Sequence, residues 1–592
     1  MTGIVGGRGL VLGRGRRDGV RVVRDVHDRP NVAPVPSVPG ATLPCTRSTR
    51  TVPHEGTAMS ETSTDRSVIR SPHADVEIPD VTLHEFLFAS LDDADRGRVA
   101  LVDGPSGATT TYGELRDRVD AIAGAFAARG LGVGDVVALH SPNVPAFVAV
   151  FHGLLRAGIT VTTINALASG REVAKQLGSS GAKALVTVSA LLPAAEAGAD
   201  AVGMATADEV VLDGADGHPS LGELLAGGHA APDAAFDPRT HLAVLPYSSG
   251  TTGLPKGVML THRNLVANVV QTEAYLPLTR DDVIPAVLPF FHIYGMTVLM
   301  NGAIYQRSTL VTLPRFDLAE YLRVVEQHRA TVLFVAPPIA LALAKHPAAA
   351  GRDLSSVRML MSGAAPFDEH LAEAVARRLP GARVLQGYGM SEMSPVSHVV
   401  PVDRTDISPG TVGLLVPNML ARVVDPATGE AIAQPAEGVS APGELLCAGP
   451  NVMVGYLADE QATRDTLEPD GFLHTGDIVT VDADGAFTVV DRLKELIKHK
   501  GYQVAPAELE ALLLTHPEIA DAAVIGVPDP ESGEVPKAFV VRAEGSALSA
   551  ADVQDFVAAQ VAPYKKVRVV EFVDAVPKSA AGKILRKELR AR

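Results

Sequence analysis

Hydrophobic positions settle into two alternating periods from about residue 76 onward. Leu115, Val119, Ile122 and Phe126 recur at three- and four-residue intervals, so they line one face of a helix. Asp135 precedes a short apolar strand, VVAL, and residues 143–157 read as another helix. Gly158 introduces the strand ITVTT; a helix over 172–177 and the strand ALVTV follow. Short apolar strands alternating with helices predict mostly parallel sheets covered by helices, an α/β fold. No fixed-period repeat is present, which excludes a solenoid.

The C-terminal part has a different rhythm. Pro506 suits the first turn of a helix carrying Leu509, Leu512 and Leu513 on one side. AAVIGV and KAFVVRA read as strands, and Ser549 with Asp552 forms a capping-box pattern ahead of Val553, Phe556 and Val557. A last strand, VRVVEFV, precedes a basic terminus in which Arg586, Lys587 and Arg590 read as solvated charges. This predicts a small α+β unit over 491–592, beginning near Asp491 after the strand AFTVV.

Residues 1–75 lack both periods. They are rich in Arg, Gly, Pro and Ser, as in GRGLVLGRGRRDGVRVVRD, and contain no apolar core of a secretory signal. Two readings stand: a basic targeting or nucleic-acid-binding tail, or a disordered leader. A start at Met59, ahead of the polar run SETSTDRS, would leave the leader untranslated; intact mass of the native protein decides.

Composition narrows the class. With 592 residues and 46% hydrophobic content, the chain can bury a large core, which excludes disorder along most of it. The net charge of 52 − 68 = −16 argues against a global electrostatic hold on nucleic acid or an anionic membrane. Cys45 and Cys447 cannot build a disulfide framework, which fits a reducing, cytoplasmic setting. The most apolar stretch, 147–164, is interrupted by His152 and Arg156, so no membrane span is expected.

The strongest chemical signal is YSSGTTGLPKGV (247–258), where a strand, LAVLPY, runs into a loop of small hydroxyl residues and glycines. Glycines let successive N–H groups point inward as an anion nest. Ser248, Ser249, Thr251 and Thr252 add hydroxyls around Gly250, and Lys256 adds a positive charge. That set suits the phosphates of a nucleotide. It is not a Walker loop, because Lys256 is followed by Gly257 rather than Ser or Thr.

The loop resembles the signature of the adenylate-forming enzymes, the superfamily of acyl-CoA synthetases, peptide-synthetase adenylation domains and luciferases. LPFFHIYG (288–295), MSGAAP (361–366), QGYGMSE (386–392), GFLHTGD (471–477), DRLKELIKHKGYQVAPAELE (491–510) and PKSAAGKILRKEL (577–589) follow in the family's order. The resemblance covers about residues 80–592 and is closest to the 4-coumarate–CoA ligase branch. It implies a large AMP- and acyl-binding domain over 76–490 and a small mobile domain over 491–592. It also implies a two-step reaction: ATP and a carboxylic acid give acyl-AMP and pyrophosphate, and CoA then gives the thioester. ATP, Mg²⁺ and CoA are the implied cofactors, and a monomer or homodimer the implied assembly.

By that resemblance, Gln386, Gly387, Tyr388 and Ser391 bind the nucleotide, Tyr388 stacking on adenine and Ser391 touching the α-phosphate. Glu392 holds Mg²⁺. An aromatic face, a hydroxyl and a hard carboxylate on one glycine turn can serve those roles. Gly363 and Ala364 resemble the wall beside adenine and the acyl group. Asp477 is expected to accept both ribose hydroxyls, with Arg492 and Lys494 adding contacts. Lys583 matches the lysine that bridges carboxylate and α-phosphate during adenylation. Lys498 and Gln503 approach the nucleotide for the second step, and Lys500 and Gly501 contact CoA; His499 is read without catalytic duty. His292 and Tyr294 resemble an acyl gate and aryl contact, with Gly389, Pro395 and Val396 along the slot; core packing of the two aromatics is the competing reading. Met393 and Ser394 depart from the Ala-Gly common in relatives. The expected acid is 4-coumarate or cinnamate. Alternatives are a medium-chain fatty acid, transfer to a separate carrier protein, or an inactive nucleotide-binding scaffold.

Overall fold

The computed structural model describes residues 67–248, 255–500, 502–579 and 582–592. Helix Tyr112–Ala128 buries Leu115, Val119, Ile122 and Phe126, and Thr111 with Glu114 closes its N-terminus as a capping box. Strand Val136–His140 lies between Thr160–Ile164 and Ala184–Thr187, all parallel. Helices Pro145–Arg156 and Gly170–Ser180 make the connections. The sheet continues through Leu242–Val244 and then turns antiparallel with Lys256–Thr261 and Gly455–Tyr456. A second sheet pairs Val332–Val335, Met359–Ser362 and Arg383–Gly389 in parallel before Val396–Val399 reverses direction. A third holds Val283–Ala286, Thr309–Thr312 and Val99–Asp103 in parallel.

The expected parallel layers are therefore present, with antiparallel edges. A further sheet departs from expectation. Ile69–Arg70, Leu420–Val424, Gly443–Ala448, Leu473–Val481 and Phe487–Arg492 are joined entirely antiparallel. Its strands are linked by turns such as DADGAF, which need no crossover helix. The sheet also corrects the leader boundary. Ile69 is buried and pairs with Ala421, and the Ser71 hydroxyl donates to the Leu415 carbonyl at 2.9 Å. Order thus begins ahead of residue 76; two apolar residues, Val68 and Ile69, are too few to register as a period. Residues 1–66, including Met59 and Cys45, lie outside the described residues.

The terminal unit is built on the long hairpin of Ile519–Asp529 and Gly533–Arg542, with Val569–Phe572 added in parallel. Helices Pro506–Leu514 and Ala550–Ala558 cover it, the latter starting at the expected Ser549–Asp552 capping box. Ile497, Val504, Leu509, Leu513, Val524 and Val553 form its own core. Among the described residues, no helix is long and apolar enough to cross a membrane.

Candidate active site

The hairpin that carries the phosphate-binding motif sets the first group of side chains. Tyr247–Ser248 pairs with Lys256–Gly257, placing Ser248 opposite Lys256 at the base of the loop. Residues 249–254, hence Ser249, Gly250, Thr251 and Thr252, lie outside the described residues. The Tyr247 hydroxyl shares a 2.6 Å hydrogen bond with Ser179, tying the base to helix Gly170–Ser180. The Ser248 hydroxyl donates to Glu392 Oε1 at 3.0 Å, although the two residues are far apart in sequence. Tyr456 donates to the same oxygen at 2.9 Å, and the Lys256 ammonium lies 4.8 Å from the Tyr456 ring centroid.

Strand Arg383–Gly389 supplies the second group. The Tyr388 hydroxyl donates to Asp477 Oδ2 at 2.6 Å, and Arg492 Nε approaches Asp477 Oδ1 at 3.1 Å. Strand register places Asp477 opposite Arg492, so this contact is built into the antiparallel sheet. Burial and the neighbouring Asp477 carboxylate raise the Tyr388 phenol far above its ordinary value, so it stays a donor. Ser391 is half-buried beside the buried Glu392. Gln386, expected at the nucleotide, has its side-chain amide nitrogen engaged within the protein. Its buried amide nitrogen bonds three carbonyls, of Phe367, Pro409 and Thr411, at 3.2, 3.2 and 2.8 Å. A side chain so committed braces the strand that presents Gly387 and Tyr388.

The expected acyl residues fall in two adjoining sets. A Cβ on Gly363 would lie 3.2 Å from the Tyr294 ring and 3.4 Å from the Gly387 carbonyl, so only glycine leaves that ring its place. Tyr294 itself donates to the Met361 carbonyl at 3.2 Å. A Cβ on Gly389 would strike the Pro395 carbonyl at 2.0 Å, which packs Gly389 onto Pro395 and Val396. Burial pushes His292 down to about 4, so its imidazole is neutral near pH 7, and Nδ1 accepts from the Tyr294 N–H at 3.3 Å. Ala364 and Ser394 both have left-handed backbone, φ 72° and 69°. Glycine would hold the Ser394 conformation without penalty; here the Ser394 hydroxyl bonds the Asn451 carbonyl at 2.8 Å.

Lys583 comes from the terminal unit. Its loop closes on itself through Ser579, whose N–H donates to the Lys583 carbonyl at 2.8 Å. Gly582, at φ 82°, is pressed so closely on Pro338 that a Cβ would sit 3.0 Å from the proline ring. Lys583 is thereby docked at the start of helix Pro337–Lys345. Burial and the Arg492 charge push its ammonium down to about 8, against the pull of Glu495 and Asp477. The hairpin Ile497–His499 with Tyr502–Val504 belongs to the sheet of the terminal unit, where His499 pairs with Gly533. Lys498 and Lys500 are exposed; the Lys498 N–H donates to Glu534 and the Lys500 N–H to the Ser532 carbonyl. His499 is buried and its Nδ1 meets the Glu534 carbonyl at 2.8 Å. Lys494 lies in the turn leading to this hairpin, while Gly501 and the Gln503 side chain lie outside the described residues.

The AMP-binding enzyme model matches residues 90–457, and the AMP-binding enzyme C-terminal domain model matches 508–583. The chain belongs to the AMP-binding enzyme family. It is 42% identical over 534 residues to 4-coumarate–CoA ligase 3 of Oryza sativa subsp. japonica, covering 89% of this chain and 95% of that protein. It is 40% identical over 518 residues to peroxisomal OPC-8:0-CoA ligase 1 of Arabidopsis thaliana, covering 86% and 93%. The ATP-bound MatB structure from Rhodopseudomonas palustris superposes with TM-score 0.78 at 31% identity, over 87% of this chain and 99% of that one. Like these relatives, this AMP-binding enzyme joins a large mixed α/β N-terminal domain to a small C-terminal domain.

Magnesium fits this site in one specific way. Among the described residues, no group of three or more His, Cys, Asp or Glu side chains could hold a metal. Mg²⁺ keeps most of its ligands as water and substrate phosphate, so one well-placed carboxylate suffices. Glu392 offers such a carboxylate: the Ser248 and Tyr456 hydroxyls both bond its Oε1.

Three side chains of the AMP-binding enzyme escaped the sequence reading. Tyr456 sits in VMVGYL, an unremarkable apolar run whose partner Glu392 lies sixty-four positions away. Glu495 and Arg586 belong to a buried ion cluster. Arg586 was expected in solvent; instead it is buried, with Nη2 2.7 Å from both Glu510 oxygens, Nη1 on Glu495 and Nε on the Val524 carbonyl. Lys587 and Arg590 are exposed as expected.

Proposed function

We propose that this adenylate-forming acid–CoA ligase activates an aryl-propenoic acid of the 4-coumarate or cinnamate type, using ATP, Mg²⁺ and CoA. The observation that supports the reading is the convergence of the Ser248 and Tyr456 hydroxyls on Glu392 beside Lys256, together with the Asp477–Arg492 pair whose charges act on the Lys583 ammonium. A carboxylate attacking the α-phosphorus brings like charges together while charge grows on the departing pyrophosphate. Fixed cations at the point of attack offset that repulsion. Mg²⁺, when held by Glu392 and the phosphates, neutralises charge on pyrophosphate.

In this scheme Asp477 accepts the ribose hydroxyls, Tyr388 presents its face to adenine, and Ser248 with the glycine loop holds the phosphates. The acid's oxygen forms a bond to the α-phosphorus as the bond to pyrophosphate breaks. The small domain then turns to bring Lys498, Lys500, Gly501 and Gln503 to the acyl-AMP. The CoA sulfur bonds the acyl carbon, AMP leaves with the electron pair, and the thiol proton passes to solvent. No general base is required, because a thiol with ordinary pKa already supplies a few per cent thiolate near pH 7. Positioning supplies most of the advantage.

The aryl assignment is supported by the 4-coumarate–CoA ligase relatives and by the Tyr294–Gly363 contact, which suits a flat ring. Apolar pockets separate substrates by only about 1–3 kcal/mol per methylene. An acid panel in a coupled AMP-release assay, with and without CoA, therefore tests it. Fastest CoA-dependent release with p-coumarate or cinnamate is expected. Preference for a medium-chain or OPC-8:0-like acid would replace the aryl reading, and acyl-AMP formation with no CoA-dependent AMP release would favour a carrier-protein acceptor.

Asp477→Asn is expected to lower kcat/KM for ATP by about 10- to 100-fold, the scale of a lost charged hydrogen bond. Most of the change should fall in KM, since the ribose contact is equal in ground and transition states. An unchanged ATP dependence of pyrophosphate exchange would remove Asp477 from the ribose site.

A further inference from the structure

Tyr456 touches two of the candidate site's charged groups at once. Its hydroxyl donates to Glu392 Oε1 at 2.9 Å, its ring lies 4.8 Å from the Lys256 ammonium, and the Ser248 hydroxyl shares that same carboxylate oxygen at 3.0 Å. Strand pairing fixes all of this. Tyr456 lies opposite Val258 on one side of strand Lys256–Thr261, while Ser248 lies opposite Lys256 on the other. The tyrosine N–H is itself held by the Thr463 hydroxyl at 2.9 Å.

A buried tyrosine needs an acceptor, and a main-chain carbonyl would serve. Here the acceptor is a buried carboxylate, which gains a charge-assisted bond and loses rotational freedom in exchange. Both of these donors converge on Oε1 and neither takes Oε2, the oxygen a cation would meet. We propose that Tyr456 is a positioning residue for adenylation: its hydroxyl locks Glu392 so that Oε2 is presented to the phosphate-bound Mg²⁺, and its ring seats the Lys256 side chain. This rests on the ligase reading above and adds a residue to it.

The test uses the full-length protein and a non-hydrolysable ATP analogue. Tyr456→Phe keeps the ring over Lys256 and removes only the hydroxyl. Calorimetric titration of the analogue at increasing Mg²⁺ should show the Mg²⁺ midpoint raised about tenfold or more, the scale of losing a hydrogen bond to a charged group. Binding of the analogue without Mg²⁺ should be unchanged. Thioester formation from supplied acyl-AMP and CoA should also be unchanged, since no phosphate is transferred in that step. In a Glu392→Gln background, which folds around the same two hydroxyl donors, Tyr456→Phe should no longer move the midpoint. A wild-type midpoint in Tyr456→Phe, or an effect that persists in the Glu392→Gln background, would overturn the proposal. A wild type that forms no AMP with any acid would overturn the ligase reading, and the proposal with it.

Discussion

Replacing Lys583 by Ala is expected to lower acyl-AMP formation about 10²- to 10³-fold, the usual effect of removing one fixed charge from a developing anion. Thioester formation from supplied acyl-AMP should be largely intact, because that step attacks a carbonyl carbon with AMP as leaving group. The asymmetry follows from the docking of the loop: Gly582 against Pro338 holds Lys583 at the large domain, while Lys498 and Lys500 are exposed on a hairpin of the terminal unit's sheet. The same side chain makes adenylation pH-dependent. With its ammonium pushed down to about 8, Lys583 is charged below that pH and neutral above it. The kcat/KM for adenylation should therefore fall as pH rises through about 8, and Lys583→Arg should carry no such limb. The limb in kcat should lie higher, because bound ATP and carboxylate favour the charged form. Single-turnover measurement of each half-reaction checks the split, and equal loss of both would remove Lys583 from its role.

What the sequence made legible was local. Leu115, Val119, Ile122 and Phe126 share a face because helical period is a property of the segment itself, and the structure buries all of them. Ser549 and Asp552 cap a helix from three residues apart. The loop motif stands out because strand, glycines and lysine follow one another without a break, and the structure pairs its two ends, Ser248 with Lys256. Long-range partnership was not legible. Tyr456 bonds Glu392, Ser248 bonds the same oxygen, and neither spacing leaves a trace in composition or period. Nor does the place of Gln386 in QGYGMSE show that the carbonyls of Phe367, Pro409 and Thr411 hold its amide nitrogen. The antiparallel sheet was missed for a related reason: its strands alternate burial, as in Leu420–Val424, and only pairing with Gly443–Ala448 shows which face is inside. Arg586 was misjudged because a basic run near a terminus ordinarily stays in water, and nothing in ILRKELR marks one arginine for burial.

Arg586→Met is expected to destabilise the terminal unit by about 3–5 kcal/mol, the range for removing one partner of a buried ion pair. The bidentate contact with Glu510 accounts for most of it: both carboxylate oxygens lie 2.7 Å from Nη2, and both side chains are buried. Glu510 would keep the Val524 N–H on Oε1 at 2.7 Å and nothing to balance its charge. Burial already pushes this carboxyl up, and Arg586 pulls it back. With Arg586 in place the Glu510 carboxyl is pushed up to about 7; without the guanidinium it rises further, so the folded variant keeps a proton that the wild type releases above about pH 7. Its deficit relative to wild type should then grow as pH rises above about 7. Adding Glu510→Gln, which can still accept from Val524, removes the uncompensated charge and should recover a large part of the loss with the pH dependence gone. Hydrogen exchange in strand Ile519–Asp529 and helix Pro506–Leu514 reads the effect where it arises, without assuming that the whole chain unfolds in one step. Exchange rates in Arg586→Met equal to wild type at pH 8 would show that the cluster is a solvated contact after all.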